Sequence, residues 1–329
     1  MKKVALFFGG LGNESDVSIV SAKNVVKNFD YKKYELILVF WNKKDSLFYK
    51  VKDINKLVVG KGYQLKIEDF TKTFDIALLM THGKYGEDGV LQAIFESQKI
   101  KYCGCRVLGS ALCMDKAVFK DLLCSSKINQ VAYRVVDFKR QTKNEIADTL
   151  SDIVKNLPLP WYVKPANSGS SVGITKVDKI EDLAKAINLA KKHDSKLVIE
   201  QGLKSPKEIE VAVLGNQTLL VSRPGELRLA KDFYNYEDKY KLGQAQAVIP
   251  ADISPKQIAQ VQELATKAYH LFNCQGFSRI DFFLHDGKIY LNEINTLPGF
   301  TDISMFPMLM MDTGLSYKQL INKIIELGY

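Results

Sequence analysis

The sequence predicts an α/β protein of two or three domains that opens with a largely parallel sheet. Short apolar runs alternate with helical patterns through the first hundred or so residues, and a second series of strands and helices follows from about Gly109. The chain is also long enough for more than one core: 329 residues, 46% hydrophobic and 25% charged, the balance of a soluble globular protein.

Taken in order, Val4 to Phe8 is an apolar run of strand length, and Gly9-Gly10-Leu11-Gly12 turns the chain into a helix capped near Ser15, with Val17, Val20, Val25 and Val26 among its apolar positions. Leu36 to Phe40 and Asp75 to Met80 are further strands. The glycines fall short of GxGxxG because Ser15 takes the third place, so a dinucleotide site is not expected. The carboxyl ends of parallel strands are where open α/β sheets gather ligands. This makes Glu14, after the first strand, and His82, in Thr81-His82-Gly83-Lys84-Tyr85-Gly86-Glu87-Asp88-Gly89, candidate substrate contacts.

A helix over Asp115 to Cys124 begins the next segment, and Thr142-x-x-Glu145 is a capping box that opens another. The strands Trp161 to Lys164 and Leu197 to Gln201 follow, separated by a glycine-rich loop and a helix over Ile180 to His193. The loop, Ala-Asn-Ser-Gly-Ser-Ser-Val-Gly after Lys164-Pro165, can turn successive backbone N–H groups toward phosphate oxygens while the lysine supplies charge; it is not a Walker motif. The third segment alternates from Glu208, continues through Thr218 to Ser222 and passes a polar, aromatic run from Phe233 to Tyr240. Pro255, following Ser254, starts a helix with Ile258, Val261, Leu264, Ala268 and Leu271 on one stripe. Ser316-x-x-Gln319 caps the last helix.

Between these two helices lies Ser278 to Gly299, two apolar runs around Asp286-Gly287. A two-residue turn there places Asp281 opposite Asn292 and turns Glu293 to the other face, because strand side chains alternate. A three-residue loop, His285-Asp286-Gly287 with Gly287 left-handed in a bulge, instead puts Arg279, Asp281, Glu293 and Asn295 on one face. The second register is expected, with Ile280, Phe282, Leu284, Tyr290 and Ile294 facing a core. Two carboxylates and an amide are hard oxygen ligands suited to Mg²⁺, which completes its shell with water and nucleotide phosphates.

Composition excludes several other functions. The formal charge is +9, but Lys and Arg are dispersed among the acids, with no basic arm and no nucleic-acid-binding module. Five cysteines, odd in number and without CxxC spacing, argue for reduced thiols in a cytoplasmic protein and against zinc. No apolar stretch reaches the length of a membrane span, and the N-terminal apolar run meets Gly9-Gly10 and Glu14 where a signal peptide needs a cleavage site.

Gly9-Gly10 with Glu14 and Val17-Ser18, His82-Gly83 with Gly86-Glu87-Asp88-Gly89, Met114-Asp115-Lys116, Val163-Lys164-Pro165, Gly169-Ser170-Ser171-Val172-Gly173, Phe233-Tyr234 through Lys239-Tyr240, Arg279-Ile280-Asp281 and Glu293-Ile294-Asn295-Thr296-Leu297-Pro298-Gly299 occur in order across nearly the whole chain. The ordered set resembles the D-alanine–D-alanine ligases of the ATP-grasp superfamily. The resemblance implies three domains, a Rossmann-like first domain over 1–106, a central ATP-grasp subdomain over 107–203 and a C-terminal one over 204–329, with ATP between the last two.

It further implies that Lys116 and Lys164 contact the nucleotide phosphates, that Glu200 and Leu203 lie by the adenosine and that Glu208 lies by the ribose. Ser170, Ser171, Gln201, Lys239 and Asn292 complete the nucleotide set. Asp281, Glu293 and Asn295 bind two Mg²⁺ ions, for which Mn²⁺ can substitute. Glu14 holds the ammonium of the first D-alanine in a hydrogen-bonded set with Ser170 and Tyr240. Arg279 and the N–H of Gly299 stabilise the tetrahedral oxyanion, and Ser304 and Met305 receive the carboxylate of the second substrate. Tyr240 favours an amine acceptor over D-lactate. By the same resemblance the chain is a cytoplasmic homodimer that makes D-alanyl-D-alanine for peptidoglycan, with D-serine or D-lactate as alternative second substrates.

Overall fold

Among the described residues three sheets follow one another along the chain. The computed structural model describes residues 1–57, 59–60, 63–229 and 245–329. The first sheet contains β1 (Lys2–Gly9), β2 (Tyr34–Trp41), β3 (Phe48–Val51), β4 (Ile76–Leu79) and β5 (Lys101–Tyr102), in the order β3-β2-β1-β4-β5. β1, β2, β4 and β5 are parallel and β3 is an antiparallel edge. β1 is buried from Val4 onward, which explains its unbroken apolar run. Phe7 meets Phe48, Phe70, Phe74 and Phe95 edge-on with centroids 5.0–5.7 Å apart. Each such pair adds roughly 0.5–1.5 kcal/mol beyond area burial.

The second sheet is antiparallel, β6 (Tyr133–Asp137), β7 (Trp161–Pro165), β8 (Thr175–Val177) and β9 (Lys196–Gln201), in the order β6-β9-β7-β8. It has its own core, in which Trp161, Val163 and Ile199 meet Ile153 and Ile187 from the flanking helices. The third sheet is antiparallel too and contains β10 (Lys207–Gly215), β11 (Leu219–Val221), β12 (Gly225–Leu229), β13 (Ala245–Val248), β14 (Phe277–His285) and β15 (Lys288–Asn295). On one side its core takes in Val261, Ala265 and Ala268 of the helix Pro255–Leu271, which Ser254 caps as Pro255 predicts, and Phe272 at that helix's C-cap. On the other side Ala212, Leu214, Phe277, Phe300 and Phe306 join the core of the first sheet, so the first and last layers share one apolar interior.

Helix Ser15–Asn28 begins one residue earlier than expected, with Glu14 at the cap, and its Val20 is exposed. The expected helix over Ile180 to His193 is a 3₁₀ turn followed by Leu183–Ala190. Thr142 and Ser316 make the capping boxes their spacing predicts. Asp115 is the N-cap of helix Lys116–Cys124 and accepts from the N–H groups of Ala117 and Val118. That helix packs Phe119 against Phe272 at 4.2 Å, stacked on the third sheet's core, while Ala117 faces Ala166 and Val198 of the second layer.

The turn of the β14–β15 hairpin corrects the sequence-based expectation. His285 pairs with Lys288, so the turn has two residues, Asp286 and Gly287, both left-handed at φ 47° and 73°. This is the primed turn that Asp-Gly favours, because its twist matches that of the strands. The extra residue lies instead at Asn292, in a bulge where Phe282 pairs with Leu291 and Asp281 with Glu293. Parity is restored and the expected face survives. Ile289 and Leu291 are buried with Ile280, Phe282 and Ile294, whereas Tyr290, expected in the core, is on the opposite face opposite Phe283.

Candidate active site

Ser18, Ser21 and Asn24 form a polar stripe at every third position of helix Ser15–Asn28, and all three are buried. Ser18 Oγ accepts from Gly9 N–H at 2.7 Å and donates to Met80 C=O at 2.6 Å, joining the carboxyl ends of β1 and β4. One turn on, Ser21 Oγ accepts from Phe300 N–H at 3.1 Å and lies 3.0 Å from His82 Nε2. His82 Nδ1 is 2.9 Å from Leu297 C=O, which can only accept. Nδ1 therefore carries the proton, and Ser21 donates to Nε2. Burial holds the His82 pKa down at about 4, so the ring is neutral at physiological pH. Asn24 Nδ2 and Tyr317 Oη both donate to Phe300 C=O, at 3.1 and 2.6 Å. The backbone of Phe300 is thus pinned at both ends, fixing the turn that carries Gly299.

Glu14 accepts a short hydrogen bond from Ser170 Oγ, joining the first layer to the glycine-rich loop of the second. A Cβ on Gly83 would lie 1.8 Å from Glu14 Oε2 and one on Gly169 would lie 2.7 Å from it, so only glycines admit this carboxylate. Ser170 and Ser171 are left-handed at φ 49° and 59°, which turns the glycine-rich loop sharply at the residue that reaches Glu14. Lys116 Nζ donates to Ser168 C=O at 2.7 Å, placing its charge against the same loop.

Glu200, on β9, is buried between two ammoniums, with Lys164 Nζ 2.7 Å from Oε2 and Lys120 Nζ 3.4 Å from Oε1. Burial opposes its charge, but Lys120 and Lys164 pull its pKa down to about 2. Gln201 follows, its N–H donating to Ala132 C=O at 2.8 Å, and then half-buried Leu203. Glu208 is half-buried on β10 opposite Phe283. A cavity of about 10 Å³ lies between Lys116, Lys120, Lys164, Glu200, Asn292 and Glu293.

On the hairpin Arg279 pairs with Asn295 and Asp281 with Glu293. Arg279 grips Asp281 with two parallel hydrogen bonds of 2.7 and 2.6 Å and lies 2.9 Å from Glu210 of β10. Asn295 Nδ2 donates to Asp281 Oδ2 at 3.0 Å, an orientation that turns its carbonyl oxygen away from Asp281. Among the described residues no three His, Cys, Asp or Glu side chains converge into a cation cage. Two carboxylates and an amide oxygen on one face nonetheless fit Mg²⁺, which takes most of its remaining ligands from water and phosphate. Ser304 Oγ accepts from Thr301 N–H at 3.0 Å and heads helix Met305–Asp312. The Met305 side chain is buried, and its backbone N–H belongs to the first helical turn, whose N–H groups have no acceptor within the helix.

Lys120, Glu87 and Glu210 join the site without a local sequence signal that assigns them a role. Lys120 stands one turn from Lys116, a spacing that signals a shared face. Glu87 accepts from Gly83 N–H at 2.8 Å, and its pKa is pushed up to about 8 by burial and then by Glu14, with Glu293 adding. Between its ordinary value of 4.5 and about 8 the folded protein therefore holds a proton that the unfolded chain has lost, so stability falls as pH rises through that window. In divalent-free buffer, Glu87→Gln removes this decline. The expected result is a melting-temperature advantage over wild type that grows from pH 5 to pH 8 and is absent at pH 4. A difference independent of pH overturns the assignment. Lys239 and Tyr240 lie outside the described residues.

The family model described as D-ala D-ala ligase N-terminus matches residues 3–105, and that described as D-ala D-ala ligase C-terminus matches residues 122–326. A D-alanine–D-alanine ligase of Caldicellulosiruptor bescii is 41% identical over 99% of this chain and 94% of its own length. Among solved structures, the VanG D-Ala:D-Ser ligase of Enterococcus faecalis superposes with a TM-score of 0.88 at 33% identity, over 100% of this chain and 99% of its own. The D-alanine-D-alanine ligase of Coxiella burnetii does so with a TM-score of 0.83 at 28% identity, over 99% and 93%. No helix among the described residues is long and apolar enough to cross a membrane. With both halves of the family pattern matched in order and a relative similar from end to end, the chain belongs to the D-alanine–D-alanine ligase family of the ATP-grasp superfamily.

Proposed function

We propose that this chain joins two D-alanines into D-alanyl-D-alanine for peptidoglycan precursor synthesis, with conversion of ATP to ADP and phosphate. A carboxylate is a poor electrophile, and transfer of the γ-phosphoryl group to the first D-alanine gives an acyl phosphate that the second amine attacks with loss of phosphate. In this reading Glu14 receives the first ammonium, and Ser170 keeps the loop above it. Lys116, Lys164 and the N–H groups around Ser170 and Ser171 hold the phosphates, so catalysis is mainly positioning and charge stabilisation. Asp281, Glu293 and Asn295 hold the Mg²⁺ ions, whose chemistry is to offset charge on the transferring oxygens. Arg279 and Gly299 N–H meet the tetrahedral oxyanion. Ser304 and the first N–H of the helix beginning at Met305 receive the second carboxylate.

His82 is assigned here to position the turn that bears Gly299, since both its ring nitrogens are engaged within the protein. The observation that carries the reading is the Glu14–Ser170 bond, which brings an acid suited to an ammonium into one site with a loop suited to phosphate. The VanG neighbour supports a second reading, D-serine as acceptor. ADP release assayed with D-alanine, D-serine and D-lactate, with products identified by mass, separates them. The expected product is D-alanyl-D-alanine, formed only with ATP and Mg²⁺ present; a mixed product in preference to it favours D-serine, and ADP release that ignores D-alanine overturns the proposal.

A further inference from the structure

Glu200 is a single carboxylate buried against two ammoniums, and its partners are unequal. Lys164 donates a hydrogen bond at 2.7 Å. Lys120 is only 2% exposed and stands 3.4 Å from the other oxygen, yet among the described residues its Nζ has no acceptor in hydrogen-bonding position, and it lines the cavity between Lys116, Lys164 and Glu200. Burying an ammonium this way costs several kcal/mol unless it is compensated. The Lys120 backbone belongs to the helix wedged between the second and third layers, so its pairing with Glu200 also crosses from helix to sheet.

Two demands on Glu200 conflict. On the proposed reading Lys164 serves the phosphates, and a lysine that turns to phosphate withdraws its bond from Glu200. A buried carboxylate then left alone takes up a proton or goes unpaired, and either outcome changes what it presents to the base. Glu200 as a carboxylate only accepts hydrogen bonds. With Glu208 at the ribose, the donor left for Glu200 on adenosine is the 6-amino group.

We propose that Lys120 is a positioning residue for nucleobase selection: it keeps Glu200 an ionised, oriented acceptor for the adenine 6-amino group when Lys164 is drawn to the phosphates. The inference rests on the adenosine role given to Glu200 above. Without Lys120 the carboxylate retains Lys164, so phosphate contact and base recognition both weaken.

The test uses the full-length enzyme with ATP and with ITP, whose base carries an oxygen in place of the 6-amino group. Wild type is expected to show kcat/KM at least tenfold higher for ATP, and Glu200→Gln to lose most of that preference. Lys120→Met is expected to raise KM for ATP at least tenfold, with a smaller change in kcat, and to bring the ATP/ITP ratio below threefold. Lys120→Arg, which restores the charge, recovers the ratio and serves as the folded control. In the Glu200→Gln background Lys120→Met is expected to change the ratio by less than twofold, because the residue acts through Glu200. If Glu200→Gln lowers the ratio and Lys120→Met only lowers the melting temperature, Lys120 is structural and the inference fails alone. If Glu200→Gln leaves the ratio at its wild-type value, the adenosine assignment falls and the inference falls with it.

Discussion

Glu293→Gln is expected to cut ADP release to background while circular dichroism and melting temperature stay close to wild type. Glu293 is half-buried beside the bulge at Asn292, across the strand pair from Asp281, and its charge is felt by Lys164 and by Glu87. A neutral amide of the same shape keeps the strand pairing and relieves the repulsion on Glu87, while Lys164 keeps Glu200 and Arg279 keeps Asp281 and Glu210 as nearer counter-charges, so the fold is expected to hold. On the proposed metal role phosphoryl transfer is what the variant is expected to lose. Removing an outer partner of a metal typically costs about 10–100-fold, and a direct ligand costs more. Turnover within tenfold of wild type in this variant removes Glu293 from the metal set.

Arg279→Lys is the second large effect, and it separates charge from shape. The guanidinium grips Asp281 with two bonds while also reaching Glu210, a fork that one ammonium cannot reproduce. Loss of an oxyanion donor costs roughly 10²–10³ in kcat, or about 2.7–4 kcal/mol. Arg279→Lys is expected to fall in that range with KM for ATP nearly unchanged. Arg279→Met should in addition lower stability by about 3–5 kcal/mol, because Asp281 and Glu210 then share a buried site without a counter-charge. Chemical denaturation checks the second effect and initial-rate kinetics the first. A rise in KM with kcat unchanged in the lysine variant would place Arg279 in ground-state binding instead.

Legibility in the sequence followed the range of the interaction. The strands of the first sheet are readable because burial on both faces leaves continuous apolar runs, as in Val4 to Phe8. The capping boxes at Thr142 and Ser316 are readable because a cap is a contact across three residues. The face shared by Arg279, Asp281, Glu293 and Asn295 was legible from the chemistry its acids require. The device behind it was not, because a bulge in mid-strand leaves no turn residue to mark it. Asp-Gly in fact marks the tighter turn.

Ser21 and Asn24 read as ordinary helix residues; their purpose depends on Phe300, 279 and 276 positions away. The place of His82 after a strand marks it as a candidate substrate contact; the hydrogen bonds that engage both of its ring nitrogens within the protein are contacts no local pattern announces. Lys120 was hidden differently, since its spacing from Lys116 was visible but its burial against Glu200 was not.

The apolar interior common to the opening and closing layers constrains how the site can breathe. Glu14 and the Gly299 turn ride on one continuous block, anchored at Phe300 by helix Ser15–Asn28 and Tyr317. Ser170, Lys164 and Glu200 ride on the layer with a separate core. On the proposed function the amino acids are held by the first of these blocks and the phosphates by the second. The Glu14–Ser170 bond is the seam at which the two blocks meet, so each core reaches the other's side chains through it.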